Sequence, residues 1–193
     1  MKYENLIIKI DSAVVEITLN RPDRHNALTA NTAKEMMSVI KMVSRDPDLR
    51  AVLITGAGKG FCAGQDLKEA EKRQADFSFR AHLNATYHPL VQAIRKLEKP
   101  VIAAVNGAAA GAGLGLALAC DLRYASEKAK FLPAFIGIGL APDSGVSYWL
   151  PRLIGPARAA EMLYTNERLN GTQAAELGLV NKVFPHDTFL DEA

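Results

Sequence analysis

Along this chain the spacing of apolar residues changes several times, and each change marks an element. In "NLIIKIDSAVVEITLN", Ile8 and Ile10, then Val15, Ile17 and Leu19, recur at every second position on either side of Asp11-Ser12. That spacing predicts two half-buried strands around a turn. "TANTAKEMMSVIKMVSRD" switches to helical period. Met36, Met37, Ile40 and Val43 share one side, and Thr29 or Asn31 can cap the start. "RAVLITGAG" and "PVIAAVNG" show no polar alternation, which predicts short strands covered on both faces. "FRAHLNATYHPLVQAIRKLEK" is helical again, and Pro89 inside it predicts a kink or a boundary near His88.

Further on, "GAGLGLALACD" reads as a small-residue helix that packs close to its neighbours, and "LRYAS" as a short strand. "AFIGIGLAPDSGVSYWLPRLIG" reads as a loop and a turn leading into a short helix. "GPARAAEMLYTN" has the pattern of an amphipathic helix, and "NGTQAAELGLVNKVFP" that of a capped helix followed by a strand. The charged stretch 68–80 is expected to be mobile. Strand and helix alternate repeatedly, so the expected fold class is α/β in layers. No fixed-period repeat and no low-complexity tract interrupts it.

Composition narrows this picture. The 193 residues fit one domain, or one large domain plus a fragment. A hydrophobic share of 49% against 23% charged is that of an ordinary globular chain. The net charge of +2 is too small to suggest a nucleic-acid or membrane partner. Cys62 and Cys120 lie far apart in apolar surroundings and form no disulfide framework, so a reducing, cytoplasmic setting is expected. "MKYENLIIKI" lacks the apolar core of a signal peptide. "VIAAVNGAAAGAGLGLALAC" is long and apolar, but Asn106, Gly107, Gly111, Gly113 and Gly115 divide it into a strand, a loop and a buried helix rather than a membrane span.

The candidate chemistry lies in two glycine-rich loops, "GAGKGFCAGQDL" and "NGAAAGAGLG", each following a buried strand. Ligands of α/β sheets collect at the carboxyl ends of strands. A helix that follows such a loop offers N–H groups with no partner inside it. Two such groups aimed at one point make an oxyanion hole, and small residues let a carbonyl oxygen reach the backbone. Close helix packing explains the same small residues equally well from composition alone. "GAGLG" lacks the full spacing of a dinucleotide-binding loop, and no acid follows at the usual distance.

Together "RPDRHNAL", "ITGAGKGFCAGQDL", "KPVIAAVNGAAAGAGLGLALACDLRYASEKAKF" and "AAELGLVNKVF" resemble the crotonase superfamily, the enoyl-CoA hydratase/isomerase group, in order and over nearly the whole chain. The resemblance implies a ββα spiral core over residues 1–193 and a homotrimer or hexamer. The C-terminal helices that close the acyl pocket and help trimerise in such proteins are expected to be absent from this chain. It implies an acyl-CoA thioester substrate, with coenzyme A entering as part of that substrate and no separate cofactor or metal. The implied oxyanion donors are the backbone N–H groups of Gln65 and Ala112. Ala112 stands where many relatives have glycine, and is tolerated if its φ is negative. The backbone around Ala63, Gln65, Asp66 and Leu67 is expected to hold the adenine and pantetheine. The loop with Ala27 is expected to lie along the CoA, and Arg24, His25 and Lys68 to meet its phosphates.

The resemblance also shows departures. Hydratases of this type carry two glutamates that position water. This chain has Gly115 at the first position, and neither Ala134 nor Phe135 supplies the second. Asp143 in "GLAPDSG" is similar in placement to the catalytic Asp of phenylacetate-pathway-type enoyl-CoA isomerases, which implies a double-bond shift with Asp143 as acid/base. "PDSG" is equally the pattern of a turn and a helix N-cap. Enoyl-CoA hydration is the alternative activity, and a non-catalytic acyl-CoA binder the alternative class. Aryl-CoA dehalogenases of the same superfamily use an Asp at this position as nucleophile and a His matching His88 to activate water. Their substrate-flanking Trp corresponds here to Phe135. Cys62 and Cys120 read as packing residues, and Tyr148 and Trp149 as cover for the core beneath the Asp turn. Met36, Met37 and Met42 read as helix-face filler.

Overall fold

The structure, a computed structural model, describes residues 3–66 and 78–193. Strand β1 (Leu6–Asp11) turns through Ser12, whose φ is 56°, into β2 (Val14–Leu19). The two strands pair antiparallel with Leu6 opposite Leu19. Val15, Ile17 and Leu19 are buried, as their alternation requires, but Ile10 is exposed and Ile8 only partly covered. The reason is position: β1 is an edge strand, and little packs over its far end. Parallel strands β3 (Ala51–Gly56), β5 (Val101–Val105), β7 (Leu122–Ser126) and β10 (Lys182–Phe184) continue the sheet in the order β1-β2-β3-β5-β7-β10. Helix α1 (Ala30–Arg45) begins at Thr29, whose hydroxyl oxygen accepts the N–H of Thr32 at 3.0 Å. It buries Met36, Val39, Ile40 and Val43, while Met37 stays half-buried at the margin.

A second sheet is built from strands too short to show a period. These are β4 (Gly60–Cys62), β6 (Ala108–Ala110), β8 (Lys130–Leu132) and β9 (Leu169–Asn170), in that order. The chain repeatedly runs through a strand of the first sheet, a short strand of the second, and then helix. β3 and β4 lead toward α2 (Phe79–Ala85) and α3 (Tyr87–Lys96). β5 and β6 lead to α4 (Ala112–Ala119), and β7 and β8 lead toward α5 (Val146–Ile154). This is the expected ββα spiral.

The break between α2 and α3 falls at Thr86, so Pro89 occupies the first turn of α3, where its missing N–H costs little. All eight residues of α4 are buried, which suits a helix that is apolar all round. After α5 come α6 (Pro156–Thr165), α7 (Gly171–Glu176) and α8 (Phe189–Glu192). The start of α7 is fixed by a reciprocal pair: Gln173 N–H donates to Asn170 Oδ1, and Asn170 N–H donates to Gln173 Oε1. Among the described residues no helix is long and apolar enough to cross a membrane.

Candidate active site

The loop after β4 is tied down before it reaches Gln65. Ala63 N–H donates to the His25 carbonyl at 3.0 Å, Leu28 N–H to the Gly64 carbonyl at 2.7 Å, and Asp66 N–H to the Leu28 carbonyl at 2.9 Å. These bonds leave Leu28 and Gln65 side by side in a parallel bridge. Gly64 has φ 91°, and a Cβ there would stand 2.8 Å from the Ala110 carbonyl oxygen and 3.3 Å from Ala112 N. A side chain at 64 would meet both a backbone conformation it disfavours and a wall of main chain. Across the contact, a Cβ on Gly113 would overlap the Cys62 carbonyl. Much of the small-residue pattern is therefore spent on pressing the two loops together. The contact brings the residue before Gln65 against the first N–H of α4, that of Ala112, which has no partner within the helix. Ala112 is 6% exposed and is not among the positive-φ residues, so its Cβ is accommodated.

The remaining sequence candidates divide. Arg24 and His25 are exposed on the loop that leads to Leu28. Ala27 is buried, and its carbonyl accepts from Arg21 Nη1 at 2.6 Å. The Asp66 carboxylate faces Arg21 Nη2 at 2.8 Å, and both side chains are mostly covered. The N–H groups of Ala63 and Asp66 are engaged within the chain, by the His25 and Leu28 carbonyls. Leu67 and Lys68 lie outside the described residues.

Two asparagines inside the quoted motifs do structural work that the sequence reading passed over. Asn26 accepts from Arg21 N–H and donates to the Ala57 and Gly60 carbonyls. Asn106 Nδ2 donates to the Gly56 and Gly58 carbonyls, while its Oδ1 accepts from Gly56 N–H. Together they hold the β3–β4 turn to both neighbouring loops. The sequence signals were an Asn in a polar loop, a residue type that tolerates the left-handed backbone found at position 26, and an Asn directly after β5.

Asp143 does not cap a helix. The residue that enters α5 is Gly145, and no side chain bonds the helix end. The segment is a turn instead: Val146 N–H donates to the Asp143 carbonyl at 2.9 Å, with Ser144 at φ 51° and Gly145 at φ 84°. Ser144 Oγ donates to Asp143 Oδ1 at 2.7 Å. Burial raises the proton affinity of the carboxyl, and the Ser144 hydroxyl and the nearby His88 pull it partly back. His88 lies on α3, is half-buried, and has its Nδ1 3.1 Å from Asn84 Oδ1. His82 Nε2 stands 3.4 Å from the amide nitrogen of the Gln65 side chain. Cys62 and Cys120 are buried, and burial pushes both thiols up to about 12, so neither is a nucleophile at neutral pH. Trp149 packs near Gly145 as expected. Tyr148 is exposed instead, with the Arg152 guanidinium 3.5 Å over its ring.

An enoyl-CoA hydratase/isomerase family model matches residues 9–193. The chain belongs to this family. It is 41% identical to a 1,2-epoxyphenylacetyl-CoA isomerase of Escherichia coli K12, over 98% of this chain and 73% of that protein. It is 38% identical to a 4-chlorobenzoyl coenzyme A dehalogenase-2 of an Arthrobacter species, over 96% of this chain and 68% of that protein. Among solved structures, an enoyl-CoA hydratase of Bacillus anthracis superposes with a TM-score of 0.94 at 35% identity, covering 98% of this chain and 73% of that one. These enoyl-CoA hydratase/isomerase relatives carry isomerase, dehalogenase and hydratase names, so membership makes this chain an enzyme of that family without choosing its reaction. An acyl-CoA thioester substrate is consistent with the family.

Within the enoyl-CoA hydratase/isomerase pattern, the two positions without glutamate have structural settings of their own. Gly115 is covered by the Asp143 turn: a Cβ there would overlap the Ser144 carbonyl oxygen and come 2.9 Å from Ser144 Cβ. At the second position, Ala134 has φ 64° and its N–H donates to Asn166 Oδ1 at 2.9 Å, and Phe135 beside it is buried.

Proposed function

We propose that this chain is an enoyl-CoA isomerase that moves a double bond of its acyl group from the 3 to the 2 position. The N–H groups of Gln65 and Ala112 receive the thioester oxygen. The Asp143 carboxylate takes a proton from the carbon alpha to the thioester, and the electron pair delocalises onto that oxygen as a dienolate. The protonated Asp143 then returns the proton at the gamma carbon. One group performs both transfers, so the reaction balances without oxidant, metal or a second acid, and coenzyme A enters as part of the substrate. Each oxyanion donor is worth about 3–4 kcal/mol of barrier. Arg24 and His25, exposed on the adjoining loop, suit the CoA phosphates.

The observation that carries this reading is Asp143 itself: a half-buried carboxyl of raised proton affinity, in a chain with Gly115 at the first glutamate position and Ala134 and Phe135 at the second. Paired-carboxylate hydration has no second acid at these positions, which disfavours the hydratase alternative. Wild type is expected to convert 3-enoyl-CoA to 2-enoyl-CoA, and Asp143→Asn to lose about 10²–10⁴-fold in kcat while still binding CoA. Equal rates for the two proteins refute the reading.

His88 favours a second reading, since its charge acts on Asp143. In that reading the Asp143 carboxylate displaces halide from an aryl-CoA, and water assisted by His88 hydrolyses the resulting ester. Chloride release from 4-chlorobenzoyl-CoA, absent in His88→Gln and Asp143→Asn, would select it over isomerisation.

A further inference from the structure

The Asp143 turn is seated by contacts that no part of the proposed reaction explains. Ser144, in the left-handed region at φ 51°, is 1% exposed, a costly conformation for a fully buried non-glycine residue. It is held there from two sides. Its backbone lies on α4 where Gly115 has no side chain, and even one carbon at 115 would overlap the Ser144 carbonyl. On the other side, Gly145 packs toward Val91 of α3 and Trp149 of α5. The Ser144 hydroxyl then reaches back 2.7 Å to the Asp143 carboxyl.

We propose that Gly115 and Ser144 are positioning residues for Asp143: the empty position 115 sets where the carboxyl stands, and the Ser144 hydroxyl sets how readily it holds a proton. The inference rests on the reading of Asp143 as the acid/base group. It assigns a purpose to the missing glutamate, because the space a side chain at 115 would take is the seat of the turn that carries the acid.

The two residues act in separable ways. A hydroxyl that donates to the ionised carboxyl favours ionisation, so its removal leaves burial less opposed and raises the proton affinity of Asp143 further. Among the described residues the other titratable group acting on Asp143 is His88 from α3, which also favours ionisation of the carboxyl; α4 contributes only apolar residues and backbone. A base must be ionised to act, so in Ser144→Ala the acidic limb of kcat/KM moves to higher pH. In Gly115→Ala the turn is displaced while its hydroxyl remains. A misplacement of about 1 Å costs on the order of 100-fold in kcat, at every pH.

The test follows the Asp143 carboxyl directly by carbon-13 NMR titration, assigned by its absence in Asp143→Asn. The isomerisation pH profile is measured beside it for wild type, Ser144→Ala, Gly115→Ala and His88→Gln. A carboxyl that titrates at higher pH in Ser144→Ala, with the acidic limb moving by the same interval, supports the assignment. His88→Gln identifies any limb that belongs to the imidazole. A Ser144→Ala carboxyl that titrates as in wild type overturns it, and so does a folded Gly115→Ala with undiminished kcat. If Gly115→Ala does not fold, the Ser144→Ala titration decides alone. Asp143→Asn as active as wild type would instead sink the isomerase reading, while the NMR shift would still report whether Ser144 controls the carboxyl.

Discussion

Asp143 combines a functional proposal with a cost in stability. Its proton affinity in the folded chain is raised, chiefly by burial, above the ordinary value of about 3.9. The folded state therefore holds the proton more tightly than the unfolded state does. Its contribution to stability is fully present below the ordinary value and is lost as pH rises through the folded one. At neutral pH the charged Asp143 opposes folding. Asp143→Asn keeps an oxygen able to accept from Ser144 and carries no charge, so it is expected to raise the melting temperature at pH 7 to 8. The gain should shrink as the pH is lowered toward 4; a variant that melts below wild type at neutral pH contradicts this account of the site. The sequence showed where this acid lies but not its environment. "PDSG" suits a turn and a cap alike, and the outcome depended on which residue enters α5.

At the scale of elements, most of the first sheet and the longer helices were legible, because β1 and β2 alternate, β3 and β5 are unbroken apolar runs of five or six residues, and the helices keep their period over several turns. The second sheet was not. β4, β6, β8 and β9 have only two or three residues each, and "AAA" at β6 carries no strand signal of its own. Those strands form through pairing with neighbours distant in sequence, as in Ala109 opposite Phe131. They set the site, since β4 and β6 carry its two loops. Asn106 holds the β3–β4 turn that leads into β4, and Asn106→Ala strips donors from the carbonyls of that turn. It is expected to cost about 1–3 kcal/mol in urea unfolding and to weaken CoA binding with it. An unchanged midpoint would show that the turn holds itself. The start of α4 allows a gentler change. Ala112 is its first residue, where the helix itself tolerates proline, so Ala112→Pro replaces one N–H with a ring carbon. The expected result is a loss of about 10²–10³ in kcat with little change in melting temperature.

At the scale of the molecule, the ββα spiral packs the loop after β4 against the start of α4, and α4 against the turn after β8; the proposed site draws on Gln65, Ala112 and Asp143 from these three segments. They are separated by 47 and 31 positions in the chain, and only the resemblance of whole motifs could join them in advance. Periodicity alone supplies the layers and not the convergence. What the fold adds is the tight contact of Gly64 with the Ala112 amide and of Gly115 with the Asp143 turn. The central claim is that the amides of Gln65 and Ala112 share one thioester oxygen. The infrared stretch of a carbon-13-labelled acyl-CoA carbonyl, free and bound, tests it most directly. Binding to wild type should lower the frequency, and Ala112→Pro should return it toward the free value. A carbonyl whose frequency is the same free and bound to wild type would contradict the account.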